Sequence, residues 1–328
     1  MSVFVNVRRA GRALGASLAL LTLMTACGGG TSQVQAFVPN RLIVFGDEHS
    51  LLVDDGLANA RKYGINGLDA SSVRDCLLLP NWVQSLAAYY NIVFAQCNKT
   101  SAVPKAFMWA RLGARVDDPA TGMAAQMAAQ TTALGAVTSG DMVAVMMGAN
   151  DVVDLGQQVQ AGTLSHEQAL GEARRRGSVL AQRINEILGA GARAIVSTVP
   201  DMGLSPLAIA MEAQSAGAAA RLKSLTFEFN ATLRTGIDPN RFDGRNFGLV
   251  LADDLVQAMA RIPSAYNLND VVNAACVTAL PQCTSATTDL VSGATGANYL
   301  WADDRRLAPT AQTQIGTLAV ERAANNPF

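Results

Sequence analysis

Residues 41–50 read RLIVFGDEHS, and this stretch decides the fold class. After Arg41 come four apolar residues, β-branched or aromatic for the most part, a pattern that predicts a strand buried on both faces. Gly46 and Asp47 then end the strand in a turn. The polar residues that follow therefore stand at the carboxyl end of a buried strand, which is where parallel sheets bind ligands.

Similar apolar runs recur along the chain and also end in turn residues. We predict these further strands at 105–109, 141–147, 193–199 and 247–252. Helical patterns lie between the strands, at 80–89, 122–137, 165–188, 214–233 and 310–322. Pro80 is expected in the first turn of its helix, and Ser165 with Gln168 forms a capping-box pattern. Strands that alternate with helices predict a layered α/β domain with right-handed crossovers.

Composition excludes several classes of protein. The 328 residues are 50% hydrophobic and 16% charged, whereas disordered chains have low hydrophobicity and high net charge. Lys plus Arg number 25 and Asp plus Glu number 26, for a net charge of −1. Such a neutral chain has no general electrostatic attraction to nucleic acid, so we expect no nucleic-acid partner.

The first residues have the pattern of an export signal. Three arginines precede an apolar run, Leu14 to Ala26, which is shorter than the ~20 residues of a spanning helix. Cys27 and a Gly-rich stretch follow, an arrangement that resembles the lipobox of bacterial lipoproteins. The resemblance implies a signal peptide at 1–26, lipid on Cys27 and a tether at 27–40. It also implies a place in the cell envelope, at the outer membrane and facing the periplasm or the surface.

Four cysteines remain after Cys27, an even number that suggests disulfides in an exported chain. Four cysteines permit three pairings, and nearness in sequence favours Cys76–Cys97 and Cys276–Cys283. A zinc site is disfavoured because there is no C-x-x-C pair and no neighbouring histidine. We expect no metal and no cofactor. Residues 264–296 are predicted to form a long stapled loop on a single domain that spans 41–328.

Several motifs fall at predicted strand ends and in a defined order. They are FGDEHS at 45–50, WARLGARVD at 109–117, GAND at 148–151, VPDMG at 199–203 and WADDRRLAPT at 301–310. Together they resemble the SGNH/GDSL family of ester hydrolases, over roughly residues 41 to 320. The resemblance implies a flavodoxin-like α/β/α sandwich with a parallel, doubly wound sheet. It assigns Gly113 and Asn150 to the oxyanion hole and Asp303 to the Asp of the family's D-x-x-H motif.

Two positions depart from the family pattern, and both belong to the reactive part of the site. Glu48 occupies the position of the nucleophilic serine, and Arg306 occupies that of the histidine base. A carboxylate cannot act as the serine hydroxyl, and an arginine cannot accept the proton. Ordinary serine-esterase activity is therefore expected to be lost or impaired. Because nucleophile and base touch in the family fold, we expect Glu48 and Arg306 to form an ion pair.

Other residues offer little replacement for the missing pair. A dyad of Ser50 with His49 is improbable, because neighbours on a turning segment point in different directions. His166 begins a predicted helix, where a solvated surface histidine is expected. Glu48 and Asp303 could instead act as an acid–base carboxylate pair of the glycosidase type, if their separation is suitable.

Two classes of function therefore compete. One is an envelope-anchored ester hydrolase that works by an unorthodox mechanism. The other is a non-catalytic lipoprotein with the SGNH fold that binds a ligand or partner in the cleft. In both cases the expected partners are the membrane, through the N-terminal lipid, and an acyl-ester or glycan ligand.

Overall fold

The computed structural model describes residues 37–54, 56, 58–241 and 245–325. The predicted signal peptide, Cys27 and most of the predicted tether lie outside these residues. The strands are β1 (Arg41–Gly46), β2 (Leu52–Val53), β3 (Arg61–Lys62), β4 (Ala106–Met108), β5 (Asp141–Met146), β6 (Arg193–Ser197), β7 (Phe247–Val250), β8 (Asp270–Ala274) and β9 (Tyr299–Trp301). The helices are α1 (Trp82–Tyr89), α2 (Met123–Leu134), α3 (Ala149–Gln160), α4 (His166–Gly189), α5 (Pro206–Gln214), α6 (Ala218–Gly236), α7 (Ala252–Arg261) and α8 (Pro309–Asn325).

All five predicted strands pair in one parallel sheet, in the order β4-β1-β5-β6-β7. In order of appearance within this sheet the arrangement is 2-1-3-4-5, the doubly wound order of flavodoxin-like folds. Short ladders join β2 to β3 and β8 to β9 outside this sheet. The predicted fold class is therefore confirmed, and the switch in strand order falls between β1 and β5.

Alternate residues of the central strands enter two different cores, which makes the molecule three layers deep. Ile43 and Phe45 of β1 pack with Leu180 of α4 on one face. Leu42 and Val44 pack with the other face's helices, which include α1, α7 and α8. Because side chains alternate along a strand, burial on both faces produces the continuous apolar runs of the sequence.

Some predicted helix boundaries are wrong. The first helix begins at Trp82, so Pro80 precedes it and does not lie in its first turn; Asn81 is the N-cap, and its side chain accepts the N–H of Gln84. The helix predicted at 214–233 begins four residues later, at Ala218, because Gln214 ends the preceding helix and Gly217, whose φ of 82° is left-handed, is the N-cap of the new one. By contrast, the capping box at Ser165 and Gln168 is confirmed.

Helices α3, α5 and α7 were not predicted. Each begins within a few residues of a strand end or turn motif, in a polar or proline-containing stretch that resembles a loop. The first of them matters most for the site, since it carries Asn150.

Both predicted disulfides are present. The Cα atoms are 5.9 Å apart in Cys76–Cys97 and 6.1 Å apart in Cys276–Cys283. The first bridge joins Cys76, which precedes α1, to Cys97, which lies between α1 and β4. Across the residues that the structure describes, no helix is both long and apolar enough to cross a membrane.

Candidate functional site

Three neighbouring strands bring the predicted site residues to one edge of the sheet. Glu48 follows β1, Gly113 follows β4, and Asn150 lies in the first turn of α3 directly after β5. Because these strands are adjacent and parallel, their carboxyl ends meet at the switch in strand order, where such folds bind ligands. The chain turns here through glycines: a Cβ at Gly46 would lie 2.1 Å from the carbonyl oxygen of Met146.

The Glu48 carboxylate occupies the centre of the site and is 1% exposed. Its Oε2 accepts hydrogen bonds from the backbone N–H of Gly113 and from Nδ2 of Asn150, each at 2.9 Å. Its Oε1 accepts two from Arg306, from Nε at 3.1 Å and from Nη2 at 2.8 Å. Four donors thus satisfy the two oxygens, which is close to the full capacity of a carboxylate.

Arg306 joins this carboxylate to a second one. Its Nη1 donates to Oδ2 of Asp303 at 2.6 Å, and the Arg306 side chain is 18% exposed. Asp303 Oδ1 in turn accepts the backbone N–H groups of Arg305 and Arg306, at 3.0 and 2.7 Å. The predicted contact between Glu48 and Arg306 is confirmed, and Asp303 holds the turn that presents the arginine.

The charges stabilise one another. Burial alone would raise the pKa of Glu48, but the positive Arg306, His49 and the Asn150 amide together lower it below its usual value. Burial would lower the pKa of Arg306, yet Asp303 and Glu48 raise it above its usual value. The site therefore holds a permanent arginine cation between two carboxylates at neutral pH.

This arrangement occupies the groups on which ester hydrolysis would depend. In the hydrolytic mechanism that the family resemblance implies, Gly113 and Asn150 would donate to the oxyanion of a tetrahedral intermediate. Here both donate to a carboxylate oxygen of the chain itself. A substrate carbonyl could reach them only by displacing Glu48. The catalytic roles of these positions stay predictions, whereas their mutual contacts are observed.

The same contacts weigh against a carboxylate pair as acid and base. Such a pair needs one carboxyl protonated near neutral pH, for which the pKa must be raised. The pKa of Glu48 is lowered instead, and Arg306 bonds directly to both Glu48 and Asp303.

Ser50 and His49 each have other partners, in agreement with the prediction that they form no dyad. Ser50 Oγ accepts the indole N–H of Trp82 at 3.0 Å. His49 Nδ1 lies 2.9 Å from Oδ1 of Asp47. His166, expected to be solvated, is half-buried instead, with Nε2 3.3 Å from Ser224 Oγ, because α4 packs along α6.

Sequence reasoning missed several residues that shape the site. Asp151 accepts the backbone N–H of Val116 with both oxygens, at 3.2 and 3.1 Å, and thereby ties the Gly113 segment to α3. Its place beside Asn150 in the GAND motif was the available signal. Tyr63 lies with its ring 5.6 Å from the Arg306 guanidinium carbon. Nothing in the sequence around Tyr63 indicates that position, because β3 has only two residues.

Among the described residues, no cluster of side chains is a candidate metal site. Within the ranges that the structure covers, no three or more His, Cys, Asp and Glu side chains are grouped so as to hold a metal ion.

No protein-family model and no curated protein matches the chain. Among solved structures it is similar to LAE5, an alpha/beta hydrolase enzyme from the metagenome of Lake Arreo, Spain, with 16% identity and a TM-score of 0.41, over 90% of this chain and 100% of that one. It is also similar to a catalytic mutant of Axe2, an acetylxylan esterase from Geobacillus stearothermophilus, with 13% identity and a TM-score of 0.41, over 88% and 96% of the two chains.

A third similar structure is protein YXIM of Bacillus subtilis, with 14% identity and a TM-score of 0.36, over 87% of this chain and 56% of that one. The first two proteins are named as a hydrolase and an esterase.

Proposed function

We propose that this chain is a non-hydrolytic, ligand-binding protein with an SGNH-type esterase fold, anchored in the cell envelope by lipid on Cys27. One observation carries the proposal: Oε2 of Glu48 takes the hydrogen bonds of Gly113 and Asn150 that an ester oxyanion would need. The cleft at the strand ends remains a place where a ligand can bind. The predicted export signal supports the envelope location.

Displacement of Glu48 by a substrate is energetically unfavourable. Its carboxylate would leave four hydrogen bonds, two of them from one guanidinium, in a site from which water is largely excluded. Charge-assisted hydrogen bonds are roughly twice as strong as neutral ones, so a neutral ester carbonyl would replace them poorly. No hydroxyl nucleophile stands at this position, and Ser50 is engaged by Trp82.

The test is hydrolysis of short- and long-chain aryl esters by the purified mature protein. We expect turnover no faster than the uncatalysed rate and no labelling by a serine-directed phosphonate. The control is the same protein carrying Glu48→Ser and Arg306→His, which supplies the missing nucleophile and base. Stoichiometric labelling of Ser50 in the unchanged protein, or ester turnover well above background, would refute the proposal and favour the hydrolase alternative.

A further inference from the structure

A small cavity adjoins Glu48 on the side of the β2–β3 hairpin. It has a volume of about 10 Å³, which is room for one water-sized group. Its polar lining comes from Glu48, His49, Lys62, Tyr63, Asn81 and Gln312. The half-buried residues Tyr63 and Leu79 also line it, so the cavity lies close to the surface.

His49 contributes a buried nitrogen without a partner. Its Nδ1 lies 2.9 Å from Oδ1 of Asp47, and because a carboxylate only accepts, Nδ1 carries the hydrogen. Nε2 is buried and has no hydrogen-bond partner among the residues that the structure describes. In the neutral ring Nε2 is an acceptor, and a buried acceptor without a donor is costly. The cavity is therefore expected to receive a group that can pair with it.

The imidazole of His49 can also carry a second proton, and this restricts which chemical group can pair with Nε2 in the cavity. Burial lowers the pKa of His49, but the carboxylates of Asp47 and Glu48 outweigh this and raise it above the usual value. When protonated, Nε2 becomes a donor and requires an acceptor. A hydroxyl group can donate to the neutral ring and accept from the protonated one, whereas an ammonium or a carboxylate serves only one of the two forms.

Lys62 supplies a complementary donor at the same cavity. Its side chain is buried, and Nζ donates to the carbonyl oxygens of Cys76 and Leu78, each at 2.9 Å. An ammonium has three N–H donors, so one remains beyond these two contacts. A hydroxyl oxygen can accept it while its hydrogen is donated to His49.

We propose that this cavity binds one hydroxyl group of a polyhydroxylated ligand, through His49 Nε2 and Lys62 Nζ, while the rest of the ligand lies in the cleft beside Glu48. The inference rests on the proposed ligand-binding function and adds the chemical class of the ligand, a polyol or a sugar. A primary hydroxyl fits best, because it projects beyond its carbon skeleton into a space for one small group. An apolar end would leave His49 Nε2 without a partner and the third N–H of Lys62 Nζ unused.

The experiment follows the imidazole nitrogens of the mature protein by NMR. The chain has only two histidines, so His166→Gln identifies the His49 signals. The probes are glycerol and methyl glucoside, which represent a polyol and a sugar, with methyl 6-deoxyglucoside as the matched compound that lacks the primary hydroxyl. We expect the Nε2 signal to shift with glycerol or methyl glucoside, and the deoxy compound to bind at least about tenfold more weakly than the glucoside.

Lys62→Met should weaken the effective probe by about tenfold, with Lys99→Met as the control at an exposed lysine that pairs with Asp75 outside the cavity. If neither probe moves the Nε2 signal, the cavity holds solvent only and the inference is wrong. Equal binding of the glucoside and its deoxy analogue also overturns it. Ester turnover by the unchanged protein would refute the proposed function alone, because the His49 shift is measured independently of hydrolysis.

Discussion

The guanidinium of Arg306 donates two hydrogen bonds to one oxygen of Glu48, across 258 positions of sequence. According to the family resemblance, Arg306 occupies the position of an esterase's base and Glu48 that of its nucleophile. Opposite charges in two positions that must touch form a stable contact, whereas either residue alone would leave a charge in a buried site. Glu48 and Arg306 therefore stabilise each other as a pair.

Restoring both residues should create activity that neither change creates alone. We expect Glu48→Ser with Arg306→His to hydrolyse p-nitrophenyl acetate on the order of 10² faster than the unchanged protein, because Gly113, Asn150 and Asp303 are already in place. Initial rates under identical conditions measure this. Each single variant is the control, and a double variant as slow as the singles would show that the alignment of the site with the family is incorrect.

Removing the cation alone should destabilise the protein. Arg306→Met leaves the 1%-exposed Glu48 without its charged partner, and we expect a loss of about 3 kcal/mol in the free energy of unfolding. The matched control is Arg305→Met, whose pair with Asp304 is more exposed than that of Arg306 with Glu48 and should contribute less than about 1 kcal/mol. Urea denaturation measures both. Adding Glu48→Gln to Arg306→Met should recover part of the loss, and strictly additive effects would contradict the coupling.

Stability should fall in acid through Glu48. Its pKa in the folded protein is lowered from the ordinary value of 4.5, so the folded state binds fewer protons than the unfolded state as the pH falls. The stabilising contribution is complete above pH 4.5 and is lost as the pH falls through the folded pKa. Urea midpoints measured between about pH 6 and 3 should decline less steeply for Glu48→Gln than for the unchanged chain. Parallel curves would mean that Glu48 is not the titrating group.

The two disulfides should differ in their contributions. The sequence separations are 21 for Cys76–Cys97 and 7 for Cys276–Cys283. In the chain-entropy account the longer loop contributes about 3 kcal/mol and the shorter about 2 kcal/mol. Paired replacements by alanine, compared by urea unfolding at constant pH, test the order. A larger loss from the shorter loop would indicate that local packing, and not loop entropy, dominates.

Lipid attachment is the prediction that lies wholly outside the described residues. Metabolic labelling of an expressing bacterium with a palmitate analogue should mark the unchanged protein and not Cys27→Ala. The physical reason for the anchor is affinity, since one acyl chain gives only marginal membrane binding and two or more give stable attachment. Equal labelling of the two proteins would exclude Cys27 as the lipidated residue.

The sheet could be predicted because strands that are buried on both faces have unbroken runs of apolar residues in the sequence. Glu48, Gly113, Asn150, Asp303 and Arg306 could be gathered only through the resemblance, since no local pattern links residue 48 to residue 306. Helix α3 was missed because Asn150 and Asp151 after a glycine look like a turn. The lining of the cavity was missed as well, because Lys62 ends a two-residue strand without periodicity, Tyr63 directly follows that strand, and both reach the site through tertiary contacts.

The contact between Lys62 and Cys76 links ligand binding to formation of a disulfide. The ammonium that lines the cavity is held by the carbonyl of Cys76, which is itself cross-linked to Cys97. A newly made chain with free thiols lacks that constraint, so one wall of the cavity would be held less firmly before oxidation than after it. Oxidation would then strengthen ligand recognition, and reductant should weaken the probe-induced shift at His49 while the rest of the fold persists.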